Sequence, residues 1–455
     1  GATGRRWPAG CPGNDGAGGD HRGRHLRPQR PDRRRPRHGG GNQRRRLTNF
    51  QLSRRRQREL FLLTSGLSTA GSFAGITAKG WILMKGTADP MVLALNFAAL
   101  SLPSLLVSGP AGVWTDRFGS ERVLIRAQWG LLAAAMLGAV SIPWFTGQSQ
   151  VVMLLISTLM VGVAGAFEST ARNKYCALIV DEPEDLIRYL TSFSVVFNTG
   201  KLVGPPIGGL LVAATGPAWA LTIDAASYLL PIATVIFLLK PRRDLEQRSE
   251  FGQKASLLNA WRECGSTLRG VLSLTAALCL AGFFHPGLAP LFAAEMLGPT
   301  PQELGLFTSV LAAGSITGGL VLQRCSTSFC RRPFLTLSGF GLVTSLAQLG
   351  MAGSPGPIGC LAMAFLIGAG TAGLLSSCNL ITQVGAPQVI RGRMGAMSQI
   401  AFLGGGGASG LVAAWVVMAT DLTTTFALTG GVGTILAVLW MYRRGGRVLD
   451  PLRSA

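Results

Sequence analysis

Residues 200–209 read GKLVGPPIGG, at the centre of the apolar run SFSVVFNTGKLVGPPIGGLLVAA, residues 192–214. Four glycines, two prolines and a lysine weaken a helix buried in a water-soluble protein, through backbone entropy, missing N–H donors and charge desolvation. In a bilayer the same segment is buildable, because neighbouring helices satisfy the freed backbone groups. Gly200, Gly204 and Gly208 recur every fourth residue and form one groove on a helix, into which a neighbour can pack closely. Pro205 and Pro206 bend that helix. Packing alone does not require Lys201, one residue off the groove.

The composition agrees with lipid as the solvent. The 455 residues are 48% hydrophobic and 14% charged, against about 25% charged in an ordinary soluble domain. Mean hydropathy is +0.37. Spanning helices need about 20 mostly apolar residues. Twelve such segments are expected, at about 60–84, 90–113, 123–144, 150–171, 187–214, 218–239, 267–291, 303–322, 334–352, 357–381, 394–418 and 422–442.

Basic residues gather on alternate links. Arg117, Arg122, Arg172, Lys174, Arg242, Arg243, Arg324, Arg332, Arg391 and Arg393 fall on even-numbered links and Arg443 and Arg444 after the last span, whereas the opposite links hold little beyond Lys85. That bias places both termini in the cytoplasm. Trp81, Trp144 and Trp219 at outer span ends and Trp440 at an inner one read as an aromatic belt. The link at 240–266 is the one long charged connection and divides the spans six and six.

The expected fold is an all-α membrane protein, with twelve transmembrane helices in two six-helix pseudo-repeats. Its parts are a disordered Arg/Gly/Pro-rich cytoplasmic tail at 1–58, bundles at 59–240 and 267–442, a cytoplasmic linker at 241–266 and a tail at 443–455. GVAGAFESTARNKYCALIVDEPEDLIR leads into the fifth span, and GAGTAGLLSSCNLITQVGAPQVIRGR into the eleventh, which carries FLGGGGASGLVAA; small residues, a loop proline, an Arg and a Gly-rich helix recur in that order. Parallel six-span repeats are a signature of one class of secondary transporter.

The first 58 residues contain 17 Arg and three Asp, a net +14 of the chain's +21. Such a segment lacks the apolar surface to fold. Three readings stay open: an anchor for anionic lipid or nucleic acid, a topological pin, or sequence that is not native coding sequence, since no Met precedes Met84. Nucleic acid is not expected as a partner. The eight cysteines are scattered without a CxxC pair, so no metal site is expected.

GPAGVWTDRFGSERVLIR, residues 109–126, follows the second span. Gly109 and Gly112 suit close helix approach, Gly119 a tight turn. Asp116, at a helix end, can meet a neighbouring helix N-terminus or a nearby Arg. Gly112, Asp116, Arg117, Gly119, Arg122 and Arg172 are therefore candidates for a conformational latch. Gly-x-x-x-Asp-Arg-x-Gly-x-x-Arg here resembles the loop signature of the major facilitator superfamily. Gly200, Gly204, Pro205, Gly208 and Gly209 are similar to the fifth-span signature of exporters that work as antiporters. With PQVIRGRMGAMSQ late in the chain, the resemblance covers about residues 55–445 and points to the branch of enterobactin exporters and transmembrane secretion effectors. The second-half loop, LQRCSTSFCRRPF, lacks the acid of the signature.

Ionisable residues within spans are expensive and face protein or water. Asp224 and Lys79 lie at similar depth and are placed to pair. Glu168 precedes Arg172 by four residues, the spacing of a helix ion pair, and is also a candidate proton site. Lys201, His285, Asn198, Asn379 and Gln399 are further candidates for proton or substrate sites, and Asn96 for the cavity wall. No GxxxxGK[ST] loop and no nucleophile–base constellation is present, so an enzyme is not expected.

The resemblance implies a proton-coupled exporter of a small amphipathic or lipophilic molecule, drug- or siderophore-like, working by alternating access. Its partners would be that molecule, protons and the bilayer of the cell membrane. It would be a monomer with no cofactor, energised by the proton gradient. A nutrient importer of the same fold and a non-transporting membrane receptor are the alternatives.

Overall fold

The computed structural model describes residues 54–87, 89–180, 183–237, 261–353, 356–386 and 391–446. Most of the basic tail and of the central linker lie outside this set. Among the described residues, twelve long helices run in sequence: α1 Arg54–Thr87, α2 Pro90–Phe118, α3 Ser120–Trp144, α4 Gly147–Ile179 and α5 Pro183–Thr215. α6 spans Pro217–Phe237 and α7 Ser266–Met296. They are followed by α8 Pro301–Arg331, α9 Pro333–Ala352, α10 Gly356–Val384, α11 from Arg391 to Ala419, and α12 Leu422–Arg444. Of these, eleven are long and apolar enough to cross a membrane; α5, 33 residues long, is the remaining long helix.

Three helices are interrupted. α6 breaks at Tyr228 and α7 at Phe283 and Phe284. α11 contains a π-helical turn at Ile400–Gly404, a form that recurs at functional sites. Turns between helices are short. Gly119 alone joins α2 to α3, and Gly216 alone joins α5 to α6; both have φ near +87° or +86°, a left-handed backbone that a residue with a Cβ resists. Asp89, Thr300 and Asp421 cap α2, α8 and α12 through side-chain oxygens, satisfying helix-end N–H groups that lipid would leave bare.

The surface is apolar and the interior holds the small and polar groups. Leu106, Phe237 and Ile358 are 79%, 81% and 86% exposed. Buried hydroxyls turn inward and bond their own helix, as Thr115 Oγ1 does to the Ala111 carbonyl at 2.7 Å and Thr371 Oγ1 to that of Ile367 at 2.7 Å. That distribution suits hydrocarbon outside and pairs many of the buried hydroxyls with backbone carbonyls of their own helix.

The two halves repeat one packing scheme. α2 packs on α4 and α8 on α10; α5 packs on α1 and α8, and α11 on α7 and α2. A Cβ on Gly162 would meet the Ala99 and Leu100 carbonyls at 2.7 Å, so α4 touches the α2 backbone directly. On α11, a Cβ on Gly405 would lie 3.0 Å from the Ala276 carbonyl of α7, and one on Gly407 3.0 Å from Leu102 of α2.

Several expectations change. Helix α1 starts at Arg54, so the last residues of the presumed disordered tail are helical; Arg55 Nε pairs with Glu59 at 3.1 Å within that first turn. Trp81 is 7% exposed and belongs to the core, whereas Trp144 and Trp219, at 78% and 63%, face outward. Gly109 and Gly112 have open space where a Cβ would stand, so neither serves close helix approach. Both glycines lie off the face of α2 that Ala111 and Thr115 bury.

Candidate functional site: a hydroxyl-bearing cavity in the first half

All six helices of the first half enclose a cavity of about 280 Å³. α1 contributes a hydroxyl stripe, Ser65, Ser68, Thr69 and Ser72, at the spacing of one helix face. α4 contributes Gly162, Gly165, Glu168 and Arg172; α3 contributes Gln128, α5 Phe197 and α6 Tyr228. Apolar and aromatic side chains, Phe73, Leu100, Leu131 and Phe197 among them, complete the lining, so hydroxyls and one ion pair meet apolar faces inside a bundle whose outside is apolar.

Glu168 and Arg172 form the expected ion pair, with Arg172 Nη1 at 2.8 and 2.9 Å from the two carboxylate oxygens. Their side chains are 12% and 16% exposed, and both line the cavity. Gln128 Nε2 donates to Glu168 at 3.4 Å. The guanidinium also lies over the rings of Phe193 and Phe197, 4.9 and 6.0 Å from their centroids, which stabilises the cation where water is scarce. The pair is therefore both structural and positioned at the candidate site.

Behind the cavity wall is a second polar cluster. The Tyr228 hydroxyl and Ser72 Oγ share a hydrogen bond of 2.8 Å. Asp224, one turn before Tyr228, is 5% exposed; its Oδ1 is buried without a hydrogen-bond partner. Gly75 leaves room for that carboxylate, since a Cβ there would run into Oδ2. Lys79 is equally buried, but its Nζ donates to Ser157 Oγ at 2.7 Å, and Ser157 donates to the Ala134 carbonyl at 2.6 Å. The expected Lys79–Asp224 ion pair is thus replaced by two neighbouring buried groups, the ammonium bonded to Ser157 of α4 and the carboxylate left with Oδ1 unpartnered.

The glycine groove of α5 is as the sequence implies. A Cβ on Gly200 would lie 3.0 Å from Thr69, one on Gly204 2.5 Å from the Ala70 carbonyl, and one on Gly208 2.5 Å from the Ala74 carbonyl. The groove therefore seats α1. Gly209 faces the other way, onto the Pro301 carbonyl of α8, and Gly305 of α8 in turn faces Pro205 at 2.9 Å. One helix is thus wedged between its own bundle and the other.

Close approaches between the halves gather in one part of the molecule. Besides Gly209 and Gly305, Gly80 meets Pro290 at 2.9 Å, Gly287 meets Phe97 at 3.1 Å, and Gly404 meets Leu105 at 3.2 Å. All lie from the helix midpoints toward the end bearing Asp89, Gly216 and Asp421, away from the end bearing Gly119, Arg332 and Arg444. The latter is the basic end. Phe97 and Phe283 extend the seam, with ring centroids 6.3 Å apart, and Phe283 packs on Phe402 of α11 at 4.3 Å.

At the basic end, Asp116 pairs with Lys174 Nζ at 2.7 Å. Arg172, the expected latch partner, is turned into the cavity instead. Two residues along a helix differ by about 200°, so Lys174 points toward α2 while Arg172 points inward. Arg117 lies over the Phe118 ring at 5.5 Å, and Arg122 is exposed.

A family model described as "Transmembrane secretion effector" matches residues 52–449. The chain belongs to the transmembrane secretion effector family of major facilitator proteins. This transmembrane secretion effector is 25% identical over 358 residues, 76% of its chain and 84% of the relative's, to "Multidrug efflux pump Tap" of Mycobacterium tuberculosis (strain ATCC 25618 / H37Rv). It is 26% identical over 223 residues to "Multidrug resistance protein 1" of Bacillus subtilis (strain 168), covering 49% of this chain and 54% of that one. Its fold is shared with a D-xylose-proton symporter, at TM-score 0.69 and 15% identity, covering 85% and 97% of the two chains. A bacterial homologue of the iron transporter ferroportin in an inward-facing state aligns at TM-score 0.64 and 17% identity, covering 86% and 100%.

Of the remaining candidates of this secretion effector, Lys201 adjoins the first-half cavity through Phe73, a lining residue, and His285, Asn379 and Gln399 do not line it. Lys201 Nζ stands 5.9 Å from the Phe73 ring centroid. His285, at the break in α7, is 1% exposed with neither ring nitrogen hydrogen-bonded. Asn379 accepts from Ser398 of α11 and so ties two helices. Gln399 is exposed, beside the π-helical turn. The side chain of Asn198 lies outside the described residues. Gln128, Tyr228, Ser157 and Lys174 were not singled out from sequence. Tyr228 was findable one turn from Asp224, and the α1 serines as a stripe at helical spacing; Ser157 and Lys174 acquire a role only through the helix they face.

Proposed function

We propose that this protein is a proton-coupled exporter of small amphipathic molecules carrying a positive charge, working by alternating access in the cell membrane. The observation that carries this is the Glu168–Arg172 pair in the wall of an aromatic- and hydroxyl-lined cavity. A carboxylate held there by one guanidinium can exchange that partner for a substrate cation, while Phe73 and Phe197 offer apolar faces. Protonation of Glu168 neutralises it and releases the cation. Asp224, buried with a free oxygen behind Tyr228 and Ser72, is the second proposed proton carrier. The proton gradient would be the energy source, with no cofactor and no covalent chemistry, and a monomer would suffice.

Efflux pumps among its relatives support the outward direction. The contacts of Gly209 and Pro205 with α8 join α5 to the second half at the end away from the basic residues. With the basic end and both termini in the cytoplasm, these contacts would seal the outer side and leave the inner side to load.

The test is accumulation of cationic, neutral and anionic fluorescent amphipaths in a host lacking its own pumps. Cells expressing the protein should exclude the cations. Glu168→Gln should reduce that exclusion about tenfold, the worth of a hydrogen bond to a charged group. Equal handling of all three charge classes by the wild type would sink the proposed substrate class.

A further inference from the structure

On its outer face, turned away from the cavity, α4 contributes to a second and different depression. It is an apolar groove of about 420 Å³ between α3 and α4, closed at one end by Trp114 of α2. α4 presents Glu168 and Arg172 to the cavity but Leu159, Met160, Val163 and Phe167 to this groove. Leu159 and Met160 are exposed, and the half-exposed Trp114 ring packs edge-on against Phe167 at 5.8 Å. The face is lipid-facing, and its shape is a slot rather than a flat wall.

One lining residue is charged. Arg126 is exposed and borders the groove, and among the described residues it has no carboxylate within ion-pair distance. Arg122, one turn nearer the helix start, is also exposed and unpaired in the same sense. With α3 beginning at Ser120, Arg126 lies about 9 Å along the helix at 1.5 Å per residue, close to the basic end of the bundle. Trp114 sits at the same end, as an interfacial aromatic does.

An apolar slot with two uncompensated cations at its mouth complements a molecule with a phosphate head and a hydrocarbon tail. We propose that this groove binds one anionic phospholipid from the leaflet at the basic end. Its phosphate lies against Arg126 and Arg122, and one acyl chain runs along Leu159, Met160 and Val163. The leaflet assignment rests on the orientation proposed above; binding itself does not depend on transport.

The experiment is native mass spectrometry of the purified full-length protein with phosphatidylglycerol and phosphatidylcholine of identical chains. The wild type should retain phosphatidylglycerol preferentially. Arg126→Gln should cut that retention about fivefold, the effect of one basic side chain near an anionic surface, and Arg126→Lys should preserve it. Val163→Trp, which fills the slot, should reduce it as well. Equal retention of both lipids by the wild type overturns the proposal. So does unchanged phosphatidylglycerol retention in Arg126→Gln or in Val163→Trp, with correct folding checked by gel filtration. Because the assay involves no flux, a transporter found inactive on every amphipath would leave this result standing, and the reverse.

Discussion

Glu168 and Arg172 concentrate the physics of the site in one helical turn. The pair is nearly buried, and its value lies less in net stability than in what breaking it exposes. Arg172→Ala leaves a carboxylate facing Gln128 and hydroxyls alone, and should lower stability by about 3 kcal/mol, read as a reduced unfolding midpoint in detergent. The double variant Glu168→Gln with Arg172→Met should recover most of that loss while abolishing transport. If both variants melt alike, the pair is not the constraint described. The i, i+4 spacing made this pair legible in the sequence. What spacing could not convey was that its face of α4 lines a cavity. For Lys79 the sequence offered Asp224 at equal depth, but a lysine bonds whatever acceptor its Nζ reaches, and that is Ser157.

At the scale of elements, glycines with the same spacing do opposite things. Gly204 seats α1 with the Ala70 carbonyl 2.5 Å from where a Cβ would stand, whereas Gly112 has open space there. Gly204→Ala must push α1 and α5 apart and should lose both thermal stability and transport. Gly112→Ala should leave transport intact and stabilise α2 by up to about 1 kcal/mol through helix propensity. Comparing unfolding midpoints and flux of the two variants checks this; similar losses in both would contradict it. The groove of α5 was legible because a four-residue repeat defines a face without reference to partners. What stands opposite a glycine is a tertiary fact, and so α2 was misread. The latch has the same lesson: Asp116 was visible, but Lys174 was chosen over Arg172 by the direction each leaves α4. As an exposed pair it should contribute under about 1 kcal/mol. Lys174→Asp should therefore slow transport with little change in melting, and adding Asp116→Lys should restore the rate.

Across the whole molecule, the twelve-helix plan and its six-and-six division were the most legible features, since lipid forces long apolar runs and basic loops on the sequence. The interruptions at Tyr228, Phe283 and Ile400–Gly404 were not, because helix breaks depend on which neighbours supply the missing bonds. The breaks at Phe283 and Ile400–Gly404 and the glycine contacts between the halves gather, among the described residues, around the helix midpoints and toward the end away from the basic residues, and alternating access would need that seam to open. The central claim is that this arrangement exchanges protons for a cationic amphipath. The most direct measurement is uptake of a fluorescent cation into inverted membrane vesicles acidified inside. Accumulation that collapses when a protonophore or an exchanger of protons dissipates the pH gradient, and that is lost in Glu168→Gln, is the predicted result. Absent accumulation, or accumulation indifferent to the pH gradient, would contradict it.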